Sequence, residues 1–574
     1  MKKAISLLLT AIIIAGCLTC GAYADETNND IKIAVASDLH YNIPREELAG
    51  PDNGVIDDEI YFYANRRACM EDESGFIIDE FLNQCAEDDS IQYVLIPGDM
   101  ADNGRRIIQE HYDVAAKLKK FEEETGKPIY ICNGNHDSCT TENETTNEQF
   151  REIYYEFGYN EAIDTLEGTL SYTANLGDKY RLIVGDSCDP GDSTEDGLTS
   201  DRVNWICEMA EKAYSEGRYP ILMMHHNLLE HMPLQRIVSH NFIVRNHSLT
   251  AEKLANAGIK VVLTGHEHGS DVISYTSTTG NVITDFSTTS LTMYPLEYRV
   301  MTFTDDTVTY ESKSIDKIDT DALSATCNGY TQEMLDLMNE DLNAYALGYF
   351  KAGIKFRLSL SLSMEKMGID EDAIYYDLVY TAVNGLTSIL EMPLYGEGSA
   401  DELAKQYNID LPASDYENGW DLVTDVLAYH YAGNEPFDLD SAEVNLVLKL
   451  VDLILLDALS STNDKVFLAG ANKLLSVFGT ESICKDLTKA ATNIFGPVTA
   501  GEYFLVALAS PLLYGLAYDR DDLDDNNGSI EGYGVTADNF QNVTNNVTGF
   551  FKKIGLYFSF FFTYILKIFK INIK

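Results

Sequence analysis

Basic residues are scarce in this chain. Its 574 residues include 41 Lys and Arg against 91 Asp and Glu, a formal charge of -50. A folded surface that acidic repels phosphate backbones, which argues against duplex nucleic acid as a broad-face partner. A phosphate ester held in a pocket stays open to it, provided positive charge comes from another source. Proline is also rare, at 13, and with Gly at 39 and hydrophobic residues at 45% the chain as a whole is neither disordered nor a fibrous repeat. His numbers 11, few enough for each position to be informative. A GxSxG elbow and a P-loop are both missing, so neither a serine hydrolase nor a P-loop nucleotide site is indicated.

The first apolar run, residues 7–15 after Lys2 and Lys3, is too short for a comfortable membrane span. Ala22-Tyr23-Ala24 follows as a small-x-small cleavage pattern, so residues 1–24 are expected to be a signal peptide and the chain secreted. An alternative stays open: Ile14-Ala15-Gly16-Cys17 looks like a bacterial lipoprotein box, which would leave a lipidated Cys17 at the cell surface. Cleavage after Ala24 leaves eight cysteines, Cys69, Cys85, Cys132, Cys139, Cys188, Cys207, Cys327 and Cys484, with no CxxC zinc spacing among them. That is not a disulfide scaffold, and whether any of them pair is left open.

The length suggests two or three folding units. Between about 30 and 315, short apolar runs at 31–37, 91–96, 128–132, 180–184, 220–224 and 260–263 read as strands buried on both faces. Residues 107–124 have helical periodicity, closed by Gly126 and Pro128. Alternation at 271–275, 281–286, 298–303 and 308–311 predicts antiparallel strands. A layered α/β fold with a mixed sheet follows. From 320 to 519 the period becomes helical, at 333–350, 370–390, 420–431 and 442–459, with a buried bundle helix expected at 503–516; this is read as an all-helical accessory domain.

Residues 520–549 read as an acidic, Asn- and Gly-rich linker. An EF-hand does not fit there, because aligning Gly528 with loop position six puts Leu523 where a carboxylate is needed. Residues 550–574 form a basic amphipathic tail. Phe550, Ile554, Phe558, Phe561, Ile565 and Phe569 are set against Lys552, Lys567, Lys570 and Lys574. Contact with a membrane or an anionic cell surface is one reading of it, and docking on the rest of the chain is the other.

Five blocks stand at strand ends in the first unit: Asp38-Leu39-His40, Gly98-Asp99, Gly134-Asn135-His136-Asp137, His225-His226 and Gly265-His266-Glu267-His268. Six of the 11 histidines fall inside them. Asp and His are ligands for manganese, iron or zinc, and a carboxylate can bridge two ions. Side chains at the carboxyl ends of strands converge on the crevice where open α/β sheets bind ligands. The two-residue spacing of Asp38 and His40, and of His266 and His268, puts each pair on one face if the strand continues.

This series resembles the calcineurin-like metallophosphoesterases over roughly residues 31–311. The resemblance implies a four-layer β-sandwich flanked by helices, with two divalent transition-metal ions at its edge. It implies Asp38, His40 and His268 on the first metal, Asn135, His225 and His266 on the second, and Asp99 bridging both. It also implies that His136 touches the phosphoryl group or protonates the leaving group, with Asp137 as its orienting partner, and that His225 rather than His226 is the ligand. Two close cations acidify a water held between them and clamp phosphoryl oxygens during in-line displacement. They would also let so acidic a protein hold a phosphate. Asp102, three residues after Asp99, stands where purple acid phosphatases carry a metal-binding Tyr, which argues against a violet ferric centre.

Arg45, Asn103 and His226 are candidate substrate contacts. His231 and His240 are further residues that could border it, and Asp186 and Asn227 are candidates for the layer behind the ligands. The expected activity is hydrolysis of phosphate mono- or diesters, including nucleotides. The alternatives are a surface-attached binding or structural protein with a weakly active site, or a metal-dependent nuclease.

Overall fold

The computed structural model describes residues 30–44, 68–139, 144–189, 192–232, 235–238, 241–361, 364, 369–373, 376–438, 440–459, 513, 515–519 and 523–532. The expected leader with Cys17, Arg45, His240, Cys484, most of 503–516 and the basic tail lie outside these residues.

Strands β1 (Ile31–Val35), β2 (Tyr93–Ile96) and β3 (Ile129–Ile131) are parallel neighbours. On the other side of β1, β13 (Glu297–Phe303), β14 (Thr307–Ser314) and β15 (Asn527–Glu531) add antiparallel, completing a six-stranded sheet. The second sheet has seven strands and a parallel centre of β6 (Tyr180–Val184), β9 (Tyr219–Met223), β10 (Val261–Thr264) and β12 (Val282–Ser287). Antiparallel edges flank that centre: β11 (Asp271–Thr276) on one side, β5 (Tyr172–Leu176) and β4 (Asp164–Thr165) on the other. A small ribbon of β7 (Cys188–Asp189) and β8 (Asp192–Asp196) stands apart.

The second sheet shows why its sequence reads as unbroken apolar runs. Successive residues on a strand face opposite sides. Leu182, Val184, Ile221, Met223, Val261 and Leu263 point into the core shared with the first sheet. Their neighbours Ile183, Leu222 and Val262 pack outward against Val203, Ile206 and Leu254, which belong to the helices Ser200–Ser215 and His247–Asn256. On the far side, Ile77, Phe81, Val114 and Leu118 of helices Ser74–Glu87 and Ile108–Thr125 cover the first sheet. Burying one such aliphatic side chain contributes roughly 1.5–3 kcal/mol. Four layers result: helices, sheet, sheet, helices. Helix Ile108–Thr125 ends as its sequence predicts, on Gly126 in the left-handed region at φ 71.

Three boundaries differ from the sequence reading. The expected 333–350 helix is two, Gln332–Glu340 and Leu342–Ser361, because Asp341 breaks the period and accepts the Ala344 N–H at 2.9 Å as a cap. The packing also ignores the expected border near 315. Leu323, Met338, Leu342 and Tyr345 join the core of the sandwich, while helices Tyr376–Glu391, Gly419–Tyr431 and Ala442–Leu459 build a second core around Trp420, Leu422 and Leu450.

The third correction is to the acidic linker. Residues 527–531 of that stretch form the edge strand β15. The carboxylates just before it are used internally: Asp524 Oδ1 accepts from the N–H groups of Asn526 and Asn527 at 2.9 and 2.7 Å, and Asp525 Oδ1 from Val272 at 2.7 Å. Arg299, buried between the sheets, donates to the carbonyls of Asp525 and Ser287 at 2.6 and 3.0 Å. The chain therefore leaves the sandwich for the helices and returns to it.

Asn526 ties the return together. Its Nδ2 donates to the carbonyls of Ala432 and Gly433 at 2.8 and 3.0 Å, and its Oδ1 accepts from the hydroxyls of Ser312 and Ser270 at 2.7 and 3.2 Å. Asn526→Ala would strand buried partners on both sides of the junction. It is expected to cost about 2–4 kcal/mol, one to three kcal/mol for each group left unsatisfied being usual. Urea unfolding of the two proteins measures this, and an unchanged midpoint would show that the junction does not hold the units together.

Candidate metal centre

All five blocks emerge at one edge of the sandwich, just past β1, β2, β3, β9 and β10. The two-residue spacings do not work by strand continuation. Asp38, His40, Asp99, His266 and His268 all take left-handed backbone conformations, at φ 50, 39, 50, 66 and 65. Such conformations are rare for residues other than Gly and signal a functional constraint when they cluster. Backbone hydrogen bonds hold them there: Asp38 N–H donates to Gly98 O at 3.2 Å and His40 N–H to Asp99 O at 3.1 Å. Ser290 Oγ donates to Asp38 O at 2.8 Å.

The side chains converge in two sets. In the first, His40 Nε2 and His268 Nε2 face each other at 3.0 Å. Asp38 Oδ1 lies 3.3 Å from the His268 nitrogen and 3.7 Å from the His40 nitrogen, and Asp99 Oδ2 is 3.7 Å from the latter. In the second, His225 Nε2 lies 3.0 Å from Asn135 Oδ1, 3.0 Å from His266 Nδ1 and 3.3 Å from Asp99 Oδ2. Asp99 Oδ2 thus stands in both sets.

Their hydrogen bonding shows what they fit. His225 Nδ1 donates to the Pro97 carbonyl at 2.9 Å and His266 Nε2 to the Asn241 carbonyl at 3.2 Å. With the rings neutral, the nitrogens they turn toward each other are therefore bare lone pairs. Beside them, Asp38 Oδ1 and Asp99 Oδ2 are buried with no hydrogen-bond donor. The opposite oxygens are anchored, Asp38 Oδ2 by Ser37 Oγ at 2.5 Å and by the His266 N–H at 3.0 Å, Asp99 Oδ1 by the His136 N–H at 2.8 Å. Acceptors converging on acceptors, buried, require cations between them. The donor set suits two divalent metal ions sharing one carboxylate.

The electrostatics agree. Burial opposes charge on Asp99, yet His225 and His136 beside it hold its carboxyl well below the ordinary range. Burial likewise opposes charge on His225, but Asp99 lifts it to about 9, so a proton on Nε2 is the positive charge that answers the Asp99 carboxylate where an ion would otherwise do so. Burial and the neighbouring His225 push His266 down to about 3.

Other expected site residues take other roles. His136 donates from Nδ1 to the Asp102 carbonyl at 2.8 Å and stands half-buried at the rim. Asp137 does not orient it. Fully buried, its carboxylate accepts from the N–H groups of Gly134, Met100 and Ala101 at 2.7, 2.9 and 3.3 Å, and so pins two ligand loops together. His226 is no substrate contact either: it is buried behind His266, its ring centroid 4.5 Å away, with Nδ1 on Ser187 Oγ at 2.9 Å. Burial, His266 and His225 push its pKa well below the ordinary value, so it stays neutral.

The Asn103 amide donates to Asp102 and Asn42 at 3.0 and 3.3 Å, so it supports the site from behind. His231 lies buried between Asp285 and Asp271, at 3.2 and 3.3 Å. Asp186 and Asn227 bond within the fold, to Asn133 and Thr264 at 3.1 and 2.9 Å.

Two residues escape the sequence reading. The Asp102 carboxylate stands 2.9 Å from His40 Nδ1 while its carbonyl holds His136, so one residue sets both rings. Its spacing from Asp99 was the available signal. Cys69 also groups with His40 and His268, all three offering ligand atoms within 4.8 Å of one another. No motif marks it.

Asp99→Asn is expected to lower occupancy at both positions, since the bridging oxygen serves both. Elemental analysis of the metal-saturated chain should find two ions per chain, and clearly fewer in the variant. Full occupancy in Asp99→Asn would contradict the shared-ligand arrangement.

The family model described as calcineurin-like phosphoesterase matches residues 31–270. No curated protein matches the chain. Among solved structures, a dimetal phosphatase from Danio rerio is similar at 11% identity and a TM-score of 0.36, over 50% of this chain and 96% of that one. Vacuolar protein sorting 29 from Cryptosporidium parvum aligns at 11% identity and a TM-score of 0.23, over 50% and 92% of the two chains. The NAD nucleotidase of Haemophilus influenzae aligns at 13% and 0.26, over 50% and 49%. With the matched region carrying both ligand sets on its mixed α/β sandwich, residues 31–270 are a calcineurin-like phosphoesterase domain, a hydrolase unit built around a binuclear metal centre.

Proposed function

We propose that the chain hydrolyses small phosphate mono- or diesters, nucleotides among them, by in-line displacement at phosphorus, and that it does so outside the cytoplasm. The observation that carries the activity is the pair of acceptor-only ligand sets sharing Asp99 Oδ2, with half-buried His136 at their rim. Asp38, His40 and His268 would hold one ion, Asn135, His225 and His266 the other, and Asp99 both. When bound, the ions supply the positive charge that draws in phosphoryl oxygens and makes water acidic enough to react.

The chain's own part is positioning and proton transfer. Asp102 fixes the His136 tautomer with hydrogen on Nδ1, so Nε2 is the atom left to hold and deliver a proton to the leaving oxygen. Asn135 contributes a neutral oxygen, which keeps the second position more electrophilic than a further carboxylate would. Around them, Asp38, His40, Asp99 and His225 are shielded from bulk water, which strengthens each interaction.

A panel of p-nitrophenyl phosphate, bis-p-nitrophenyl phosphate, nucleotides and phospholipid head groups, run on the Mn-, Zn- and Fe-loaded chain, tests the activity. Hydrolysis of at least one class should vanish on chelation and return with metal; no hydrolysis of any would end the proposal. In the same assays His136→Ala should keep its metals and lose about 10²–10⁴-fold in turnover. The loss should be smaller for p-nitrophenolate than for poor leaving groups. An equal loss across leaving groups would mean that His136 stabilises phosphoryl oxygens instead.

Export and surface contact rest on the patterns at 1–24 and 550–574. Fractionation of cells expressing the full chain, and a chain ending at Gly549, should find both outside the cytoplasm and the shorter one less surface-bound. Retention of an uncleaved chain in the cytosol would refute export, and equal surface binding would refute the tail's part.

A further inference from the structure

We propose that Cys69 is a ligand of the first metal, a thiolate added to Asp38, His40, His268 and Asp99. The inference rests on the binuclear centre read above and adds a residue, and a metal preference, that the five blocks do not contain.

Three observations carry it. The Cys69 sulfur lies within 4.8 Å of ring nitrogens of both His40 and His268, the imidazoles whose Nε2 atoms face each other at 3.0 Å. It is fully buried, so the sulfur is held away from solvent. Its backbone is locked to the same loops. Met70 N–H donates to Thr292 O at 2.9 Å, and two residues earlier in that loop Ser290 donates from N–H to His268 O and from Oγ to Asp38 O, at 3.4 and 2.8 Å. Ala68, the residue before, takes a left-handed conformation at φ 60, a further constrained position next to the centre.

The helical region seats this segment. Ala68 packs with Met293, Phe350, Ile354 and Ala428, joining the sandwich to helices Leu342–Ser361 and Gly419–Tyr431. Close by, Ser270 N–H donates to Tyr431 O at 3.0 Å, two residues past the ligand His268. The helices thus press on the first metal position from two sides, through the Cys69 segment and through the His266–His268 loop.

On binding, the thiol gives its proton to solvent and the sulfur lone pair forms the bond to the metal, with no change in oxidation state. Thiolate favours zinc or iron over magnesium, calcium or manganese. The first position should therefore prefer the softer ions.

Cobalt(II) loaded into the full mature chain tests this without relying on turnover. A thiolate-to-cobalt charge-transfer band in the near ultraviolet is expected, rising with the first ion bound and missing in Cys69→Ser. Zinc affinity of that variant should fall at least about tenfold, the lower end of what loss of even an outer partner of a metal ligand costs. Manganese affinity should fall less. Two cobalt ions without the band, or a band that survives in Cys69→Ser, would overturn the assignment and leave the binuclear centre standing. A wild-type chain that binds no metal would overturn both.

Discussion

The site depends on one carboxylate with its two oxygens in opposite situations. Asp99 Oδ1 is satisfied by the His136 N–H, while Oδ2 is buried with no donor and stands between the two imidazole pairs. An unpaired anionic oxygen in such a place is costly unless a cation answers it. Much nearby structure serves to keep it there. Gly134 must lack a side chain, because a Cβ would overlap the Asp99 carboxylate. Gly265 must for a parallel reason, as a Cβ would run into Ser37 and Asp38. Asp137 adds the bonds that keep the Gly98-Asp99 and Gly134-Asn135 loops in step.

This order is held against local preference. Five of the metal-facing residues sit at positive φ, and each such residue costs on the order of 1–3 kcal/mol. Asp tolerates the region better than most residues because its short side chain bonds locally. The sandwich sets strand ends where these turns must be made, and the ladder of bonds from the β1 loop to the β2 loop fixes them: Asp38 to Gly98, His40 to Asp99, Tyr41 to Met100. The fold stabilises the strain because both sheets are packed on each face. A metal site on a less buried edge could relax instead.

What the sequence made legible follows from the range of the interactions involved. Strands such as 180–184 and 219–223 are readable because two-sided burial leaves an unbroken apolar run. The ligands are readable because each comes directly after such a run. Adjacency in the chain suggests roles for Asp137, His226 and Asn103 that their distant partners overrule: Met100 and Ala101 for Asp137, Ser187 for His226, and Asn42 for Asn103. Adjacency is a poor guide just past a strand end, where one left-handed residue redirects the next side chain. Residues 523–531 read differently in sequence because their partners lie more than 200 residues away. An acidic, Asn-rich stretch looks solvated until Val272, Arg299 and β14 are there to receive it.

The return of the chain at β15 gives the helical region a mechanical meaning. Helix Gly419–Tyr431 is bonded to the sandwich at its C-terminal end through Asn526, which holds Ala432 and Gly433, and through Tyr431 O, which receives Ser270. Ser270 also accepts from Arg299 at 3.0 Å, and Arg299 reaches across to the Ser287 and Asp525 carbonyls. The ligand His268 lies two residues before Ser270. A shift of the helices therefore cannot leave the first metal position untouched, since the loop that carries His266 and His268 is anchored at one end on β10 and at the other on this bonded junction. A helical region that merely trailed the sandwich could be mobile without consequence, whereas one enclosed between β14 and β15 and bonded beside a ligand must move with the centre.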